Sequence, residues 1–259
     1  MAVKEYGNAG TMGVLTPQAN TTVEPELWAL LPAHWSMLNA RLTSDEETIE
    51  KRLIDYTTKF NITAGQFANA PIDVLTGACT GASYLIGQDA EAALVEDVQT
   101  THNLPFLTAA LASVSALRVM GAKKIALLTP YPESLNEKST PYWESFGFEV
   151  VAKTGPDLES SAFHPIYAMT GSGVLTAYRQ LSAESGADAV LMLGTGMATL
   201  RPIIAGHAEG LMPAVSCNLA LVWAAVQKKA WNEVSEAGLS DWVSGKLWQA
   251  RLETMFPAP

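Results

Sequence analysis

The amino-acid sequence predicts an α/β protein made of two similar lobes, each built on a parallel sheet. Short apolar segments alternate with longer segments of helical spacing, and three motifs recur in the same order along the chain. Of the 259 residues, 48% are hydrophobic and 16% are charged, which is enough apolar material for a large core. Short strands that alternate with helices of ten or more residues are typical of a parallel sheet covered by helices on both faces.

The predicted strands are apolar runs that end in Gly, Thr or Pro turns. In chain order they are Met12–Leu15, Val74–Ala78, Phe106–Leu107, Lys124–Leu128, Glu149–Thr154, Ala189–Leu193 and Ala214–Ser216. Helical spacing predicts the segments Asp45–Phe60, Asp89–Thr100, Ala109–Met120, Val174–Ser185, Ile203–Gly206 and the residues from Leu219 onward. Helices between consecutive strands are what parallel pairing requires.

Three pairs of motifs indicate an internal duplication. The pairs are Leu15-Thr16-Pro17 with Leu128-Thr129-Pro130, Asp73 and Cys79-Thr80-Gly81 with Asp188 and Gly194-Thr195-Gly196, and Pro105–Thr108 with Pro213–Ser216. Because ligands of open parallel sheets bind beyond the carboxyl ends of the strands, the repeated loops should meet across one cleft. The repeat phase places the first lobe at residues 1–115 and 214–259, and the second at residues 116–213.

Composition excludes several classes of function. Sixteen Lys and Arg residues against twenty-six Asp and Glu give a net charge of −10, which argues against nucleic acid or an anionic membrane as a partner. No segment resembles a signal peptide or a membrane-spanning helix, so a cytoplasmic protein is expected. The two cysteines, Cys79 and Cys217, are too few and too far apart for a disulfide framework or a structural zinc site.

Cys79 is the main candidate for catalysis. It directly follows a predicted strand and precedes a helical turn, where unpaired backbone N–H groups and the positive end of a helix favour a thiolate. The same N–H groups, with the Thr80 hydroxyl, could hold a carboxylate or an enolate oxygen. The alternative is that Cys79 is a small buried apolar residue, which is the commonest role of a free cysteine.

Other candidates have ordinary structural roles as alternatives. Asn20 lies in the turn after the first strand and is either a cap or a cleft residue. Tyr131 lies in the matching loop of the second lobe, where it either points into the cleft or packs between lobes. Cys217 matches Ala109 in the repeat, so direct chemistry is not expected of it. Its neighbours Ser216 and Asn218 are expected at the cleft mouth.

No cofactor or metal site is predicted. There is no Walker loop and no G-x-G-x-x-G fingerprint. The four histidines, His34, His102, His164 and His207, show no metal-ligand spacing. A Cys–His hydrolase stays open as a hypothesis, although nothing in the sequence nominates its histidine.

Several of these segments resemble maleate cis–trans isomerases and arylmalonate decarboxylases of the aspartate/glutamate racemase superfamily. They are Pro17–Glu26, Cys79-Thr80, Thr129–Tyr131 with Asn136-Glu137, and Ser216–Trp223. The resemblance extends from about Gly13 to Trp223 and implies two pseudo-symmetric lobes with a cofactor-free site between them. It also implies a small carboxylic acid substrate, contacted by Asn20, Thr80, Gly81, Tyr131, Gly194, Thr195 and Gly196. A homodimer is a further expectation.

The resemblance departs from the family pattern in the second lobe. Members typically present one thiol from each lobe to opposite faces of the substrate. Here the first thiol matches Cys79, whereas the second position falls on Gly194, so two-base racemisation is the least favoured activity.

Two reactions need one thiol, and a third hypothesis needs no reaction. In an isomerase, the Cys79 thiolate adds to a cis-enedioate, the new single bond rotates and the thiol leaves. In a decarboxylase, Cys79 protonates an enediolate after loss of CO2. Known arylmalonate decarboxylases carry their thiol at the Gly194 position, so the opposite product enantiomer is then expected. The third hypothesis is a protein that only binds a small carboxylate.

Overall fold

The computed structural model describes residues 5–156, 165–236 and 238–258, and these form two four-stranded parallel sheets. The first sheet has the order β2-β1-β3-β4 and consists of β1 (Gly10–Pro17), β2 (Trp35–Leu42), β3 (Val74–Gly77) and β4 (Phe106–Thr108). The second has the order β6-β5-β7-β8 and consists of β5 (Lys124–Leu128), β6 (Glu149–Thr154), β7 (Ala189–Met192) and β8 (Ala214–Ser216). The two orders are equivalent, and the predicted α/β fold class is confirmed.

Helices cover both sheets. Those before β5 are α1 (Val23–Leu30), α2 (Ile49–Thr58), α3 (Phe60–Ala64), α4 (Thr80–His102) and α5 (Ala109–Val119). Those after β5 are α6 (Glu133–Ser145), α7 (Gly171–Glu184), α8 (Leu200–Ala208), α9 (Cys217–Lys228), α10 (Leu239–Val243) and α11 (Gln249–Met255). In the described part of the chain, no helix is both long and apolar enough to cross a bilayer.

Asp73 and Asp188, which correspond in the repeat, make equivalent hydrogen bonds in the two lobes. Asp73 Oδ2 accepts a hydrogen bond from the Thr11 N–H at 2.8 Å, where β1 begins beside β3. Asp188 Oδ2 accepts from the N–H groups of Lys123 and Lys124 at 2.9 and 2.8 Å, where β5 begins beside β7. Each carboxylate therefore joins the residue just before the third strand of its sheet to the start of the first strand of that sheet. This equivalence supports the duplication inferred from the sequence.

The chain returns to the first lobe at α9. Strand β8 pairs in parallel with β7, so residues 214–216 belong to the second sheet and the return expected at residue 214 comes at Cys217. Helix α9 then packs against α1, α5 and β3. Its residues from Cys217 to Ala225 are all buried, so the helix forms the core between the lobes.

Candidate active site

A cavity of about 360 Å³ lies where the carboxyl ends of the two sheets face each other. The loops that follow β1, β3, β5 and β7 line it, as the repeated motifs predict. The lining residues are Pro17, Ala19, Asn20, Glu47, Ile49, Arg52, Leu53, Tyr56, Cys79, Thr80, Pro130, Tyr131, Pro132, Ile166, Tyr167, Thr195 and Gly196. Five of the predicted substrate and catalytic positions thus lie around one cavity. They are Asn20 and the residues Cys79, Thr80, Thr195 and Gly196 of the two repeated turns.

Cys79 lies at the base of this cavity and is only 5% exposed. It is the N-cap residue of α4, in the extended conformation, and its side chain makes no capping hydrogen bond, although the Ala82 N–H lies near enough to act to lower the pKa of the thiol. That contact favours the thiolate, as expected for a helix N-terminus. Burial opposes it more strongly, because a charge loses its hydration, and raises the pKa of the Cys79 thiol to about 12. The expected thiolate is therefore a neutral thiol in the empty cavity.

Thr195 links the turn of the second lobe to the turn that carries the thiol. Its hydroxyl donates to the backbone oxygen of Ala78 at 2.8 Å and accepts from Asn20 Nδ2 at 3.0 Å. Asn20 Oδ1 accepts from two backbone N–H groups of its own turn, including that of Thr22 at 2.9 Å. The Asn20 amide is consequently fixed with its NH2 group toward Thr195 and the cavity.

Glu26, on helix α1, stabilises the second-lobe turn through hydrogen bonds that cross the boundary between the lobes. This carboxylate is 6% exposed and accepts from the backbone N–H groups of Thr199 and Leu200 at 2.6 and 3.2 Å, where α8 begins. It also accepts from Asn218 Nδ2 at 2.8 Å, and the same NH2 group donates to the backbone oxygen of Thr195 at 3.0 Å. Burial raises the pKa of Glu26, whereas these hydrogen bonds act to lower it and only partly offset the burial. The sequence analysis missed this residue as part of the site.

Ser216 and Asn218 do not line the cavity, which corrects the expectation that they lie at its mouth. Ser216 is the N-cap residue of α9, and its hydroxyl accepts from the Leu219 N–H at 3.3 Å. The Asn218 NH2 group donates to the Glu26 carboxylate instead. Both side chains point into the lobe interface because α9 starts there.

Tyr131 brings a phenol from the second lobe to the N-terminus of α4. Its Oη accepts a hydrogen bond from the Gly81 N–H, and burial raises the pKa of Tyr131 well above its ordinary value. The hydroxyl therefore stays protonated and keeps its own proton for donation. Gly81 and Gly194 are not themselves among the lining residues, since the Tyr131 phenol lies close to both.

Gly194, where the resemblance places the second-lobe thiol, has no room for a side chain. Its φ is +81°, a conformation that L-residues adopt only with strain. A β-carbon there would lie 2.9 Å from Pro130 Cγ and 3.1 Å from Tyr131 Oη. The phenol thus fills the space that a second-lobe thiol would need.

Helix α2 forms a wall of the cavity that the sequence analysis did not assign to the site. Ile49, Arg52, Leu53 and Tyr56 have the spacing i, i+3, i+4 and i+7, which places them on one helical face. Arg52 is partly buried, and its guanidinium donates to the Glu46 backbone oxygen at 2.9 Å. The helical pattern was visible in the sequence, but which face turns toward the cleft was not.

The histidines give no support to a Cys–His hydrolase. His34, His102 and His207 do not line the cavity, and His164 lies outside the described residues. Within the described residues, no group of three or more His, Cys, Asp or Glu side chains could hold a metal ion.

Two equivalent α/β lobes with a buried thiol in the cleft between them define a pseudo-symmetric protein whose site draws on both halves. The family model described as arylmalonate decarboxylase matches residues 12–240, and the chain belongs to this family. The resemblance predicted from the sequence is confirmed.

Maleate isomerases are among its relatives. One from Pseudomonas putida is 31% identical over 150 residues, covering 54% of this chain and 60% of the relative, so the matched part spans about 60% of that protein's length. The structure of the maleate isomerase Iso from Pseudomonas putida S16 has a TM-score of 0.73 and 25% identity, over 83% of this chain and 90% of that one. A Cys-to-Ser variant of the Nocardia farcinica maleate cis–trans isomerase, with a covalently bound succinylcysteine intermediate, has a TM-score of 0.71 and 24% identity, over 83% and 90% of the two chains.

Proposed function

We propose that the protein isomerises a maleate-type cis-enedioate to its trans isomer, without a cofactor, through covalent addition of Cys79. The observation that carries this proposal is that Cys79 lines the same cavity as Arg52. The succinylcysteine intermediate of the Nocardia farcinica enzyme is the adduct that such an addition forms on maleate.

One carboxylate of the substrate binds at the polar end of the cavity, near Cys79. Asn20 offers its fixed NH2 group, and Tyr131 offers its phenolic proton. Backbone N–H groups at the turns of Thr80 and Thr195 add further donors. These neutral donors suit an oxygen whose negative charge grows as the thiol adds to the double bond.

Arg52 holds the second carboxylate on the α2 side of the cavity. Its guanidinium uses Nε and Nη2 on the Glu46 backbone oxygen, which leaves other N–H groups for a substrate. A carboxylate paired with a guanidinium is stabilised as an anion and so is held back from leaving as CO2. Arg52 therefore favours isomerisation over decarboxylation.

The reaction needs the thiolate only when substrate is present. The sulfur bonds to one alkene carbon, and the electron pair of the double bond moves toward the other carbon and its carboxylate. Rotation about the new single bond and loss of the sulfur then give the trans product. Because burial raises the pKa of Cys79 to about 12, the thiol is protected from unwanted alkylation and oxidation at neutral pH.

Decarboxylation of a substituted malonate is the second candidate, and two observations favour it. Ile49, Leu53 and Ile166 form an apolar wall against which a leaving carboxylate would be destabilised. A thiol with a pKa of about 12 is also protonated at neutral pH, as a proton donor must be. Loss of CO2 would leave an enediolate, which takes the Cys79 proton on one face. A protein that only binds a carboxylate remains the third candidate.

Proton NMR in D2O separates these candidates. Wild type and Cys79→Ser are incubated with maleate, phenylmalonate and other substituted malonates. We expect fumarate from maleate with wild type only, and a rate at least about 1,000-fold lower for Cys79→Ser, because a hydroxyl is a poor nucleophile at neutral pH. Loss of CO2 with one deuterium at the α-carbon would instead establish the decarboxylase. If nothing turns over while maleate slows alkylation of Cys79, the protein is a binder.

A further inference from the structure

The cavity is larger than maleate requires. Its volume of about 360 Å³ equals that of about twelve water molecules at ~30 Å³ each. Maleate consists of a four-carbon chain that ends in two carboxylates, and it would fill less than half of this volume. The remainder would hold only water beside the apolar side chains of Ile49, Leu53 and Ile166. The size and the lining of the cavity therefore fit a larger ligand with an apolar part.

Side chains closely cover the two turns that follow β3 and β7. A β-carbon on Gly196 would lie 2.6 Å from Tyr167 Cε1 and 3.1 Å from Ile166 Cδ1, so little space is left over the second-lobe turn. A β-carbon on Gly81 would lie 3.1 Å from Leu53 Cδ1, so α2 covers the first-lobe turn in the same way. The additional volume therefore lies farther out, toward the more exposed part of α2.

Helix α2 borders the cavity from its interior to its mouth. Leu53 and Tyr56 are 6% and 2% exposed, whereas Ile49, on the same helical face and one turn before Leu53, is 39% exposed. An isoleucine side chain that is open to water at the mouth of a cavity is stabilised when a ligand covers it with apolar surface. A maleate dianion offers little such surface. Ile49 and Leu53 therefore form an apolar subsite that maleate leaves unused.

We infer that the substrate is a maleate-type cis-enedioate with an apolar substituent on one alkene carbon, and that this substituent packs against Ile49 and Leu53. The inference rests on the proposed isomerisation and defines its substrate more closely. Glu47 also lines the cavity, two residues before Ile49, so a third carboxylate beside Ile49 would be repelled. Arg52 would likewise repel a cationic substituent. The charges at the mouth therefore favour a neutral group.

The substituent leaves the bond-making steps of the isomerisation unchanged. The Cys79 sulfur bonds to the unsubstituted alkene carbon, which is the less crowded of the two. The electron pair of the double bond moves to the substituted carbon and its carboxylate. After rotation about the new single bond, loss of the sulfur restores the double bond in the trans isomer. The proton that left the thiol before the addition returns to it at the end, so no proton or electron is consumed.

Steady-state kinetics with maleate, 2-methylmaleate and 2-butylmaleate test the inference. Each methylene that becomes fully buried should raise kcat/KM by about fourfold, so 2-butylmaleate should exceed maleate by about tenfold or more, mainly through a lower KM. The rate at which free cysteine adds to each compound corrects for its intrinsic reactivity. A kcat/KM for 2-butylmaleate equal to or below that for maleate would overturn the inference and leave the isomerase in place. A protein that converts none of the three compounds would overturn both.

The variants Ile49→Ala and Ile54→Ala show whether the substituent packs against α2. Ile54 is the matched control, because it lies on the same helix and is 45% exposed but is not among the described residues that line the cavity. Ile49→Ala should lower the ratio of kcat/KM for 2-butylmaleate to that for maleate by about threefold or more, since a shorter side chain buries less apolar surface. Ile54→Ala should leave this ratio unchanged.

Thermal unfolding of both variants checks that they fold. Equal ratios in Ile49→Ala and Ile54→Ala would mean that the substituent does not contact the α2 wall, and the inference would be wrong.

Discussion

The equivalent turns after β3 and β7 differ in both the backbone conformation and the side chain of their first residue. In the first lobe, the turn begins with Cys79 at φ −143°, an extended conformation that can carry a reactive side chain. In the second, it begins with Gly194 at φ +81°, and a phenol from the same lobe lies where a side chain would be. The order of strands is the same in both lobes, whereas only the first-lobe turn carries a thiol. Sheet order alone therefore says little about how many reactive groups a two-lobed site contains.

The first way to test this comparison is the ionisation of the first-lobe thiol. Because burial raises the pKa of Cys79 from 9.0 to about 12, the thiolate fraction below pH 9 is about 1,000-fold lower than for an ordinary cysteine. Alkylation by iodoacetamide should accelerate with pH up to about pH 11 without levelling off. The Cys79→Ser variant, which retains only Cys217, gives the background rate. A plateau below pH 9 would mean that the helix N-terminus outweighs burial.

A second way is to place a side chain on the second-lobe turn. Gly194→Ala should lower the free energy of unfolding by roughly 2–4 kcal/mol, since the strain of a positive φ adds to the contacts with Pro130 and Tyr131. Gly210→Ala is the matched control, because its φ is +69° and a β-carbon there meets nothing within 4 Å. Urea denaturation of both variants measures the difference. Equal losses would show that the backbone strain, and not the crowding, keeps glycine at position 194.

The smallest expected effect is a difference in stability between valine variants of the two equivalent threonines, Thr80 and Thr195. Thr195→Val leaves Asn20 Nδ2 and the Ala78 carbonyl without their partner, which should cost about 1–3 kcal/mol of stability. Thr80→Val removes a buried hydroxyl that has no hydrogen-bond partner among the described residues and should leave stability nearly unchanged. Thermal unfolding of the pair tests this directly. A loss in Thr80→Val as large as that in Thr195→Val would contradict the expected difference between the two hydroxyls.

Much of the fold could be predicted because the buried strands are continuous apolar runs. Strand β2 was missed because it is an edge strand whose sides are unevenly exposed, so Trp35–Leu42 shows neither an apolar run nor a clean alternation. Helix α6 was missed because it is polar and contains Pro141. Helix α4 begins nine residues before the predicted start, since small residues hide its first turns and Gly87 interrupts it.

The site was predictable where loops follow strands of the repeat, and not elsewhere. Cys79, Asn20 and Tyr131 lie at such positions and do reach the cavity. Arg52 and Glu26 lie on helices, and the sequence does not show which face of α2 turns toward the cavity or which face of α1 turns toward the start of α8. The pKa of Cys79 was expected in the wrong direction because helix position is visible in a sequence, whereas the depth of burial is not.

The path of the chain between the lobes determines the order in which the two lobes can fold during synthesis. The second sheet lies within one uninterrupted stretch, from β5 to β8, whereas the first lobe lacks α9 until that sheet has been made. Because α9 packs against α1, α5 and β3, a nascent chain on the ribosome can complete the second lobe before the first. The cleft should therefore be assembled only after α9 has been made, and truncations inside α9 should destabilise the first lobe more than the second lobe, which they adjoin in sequence.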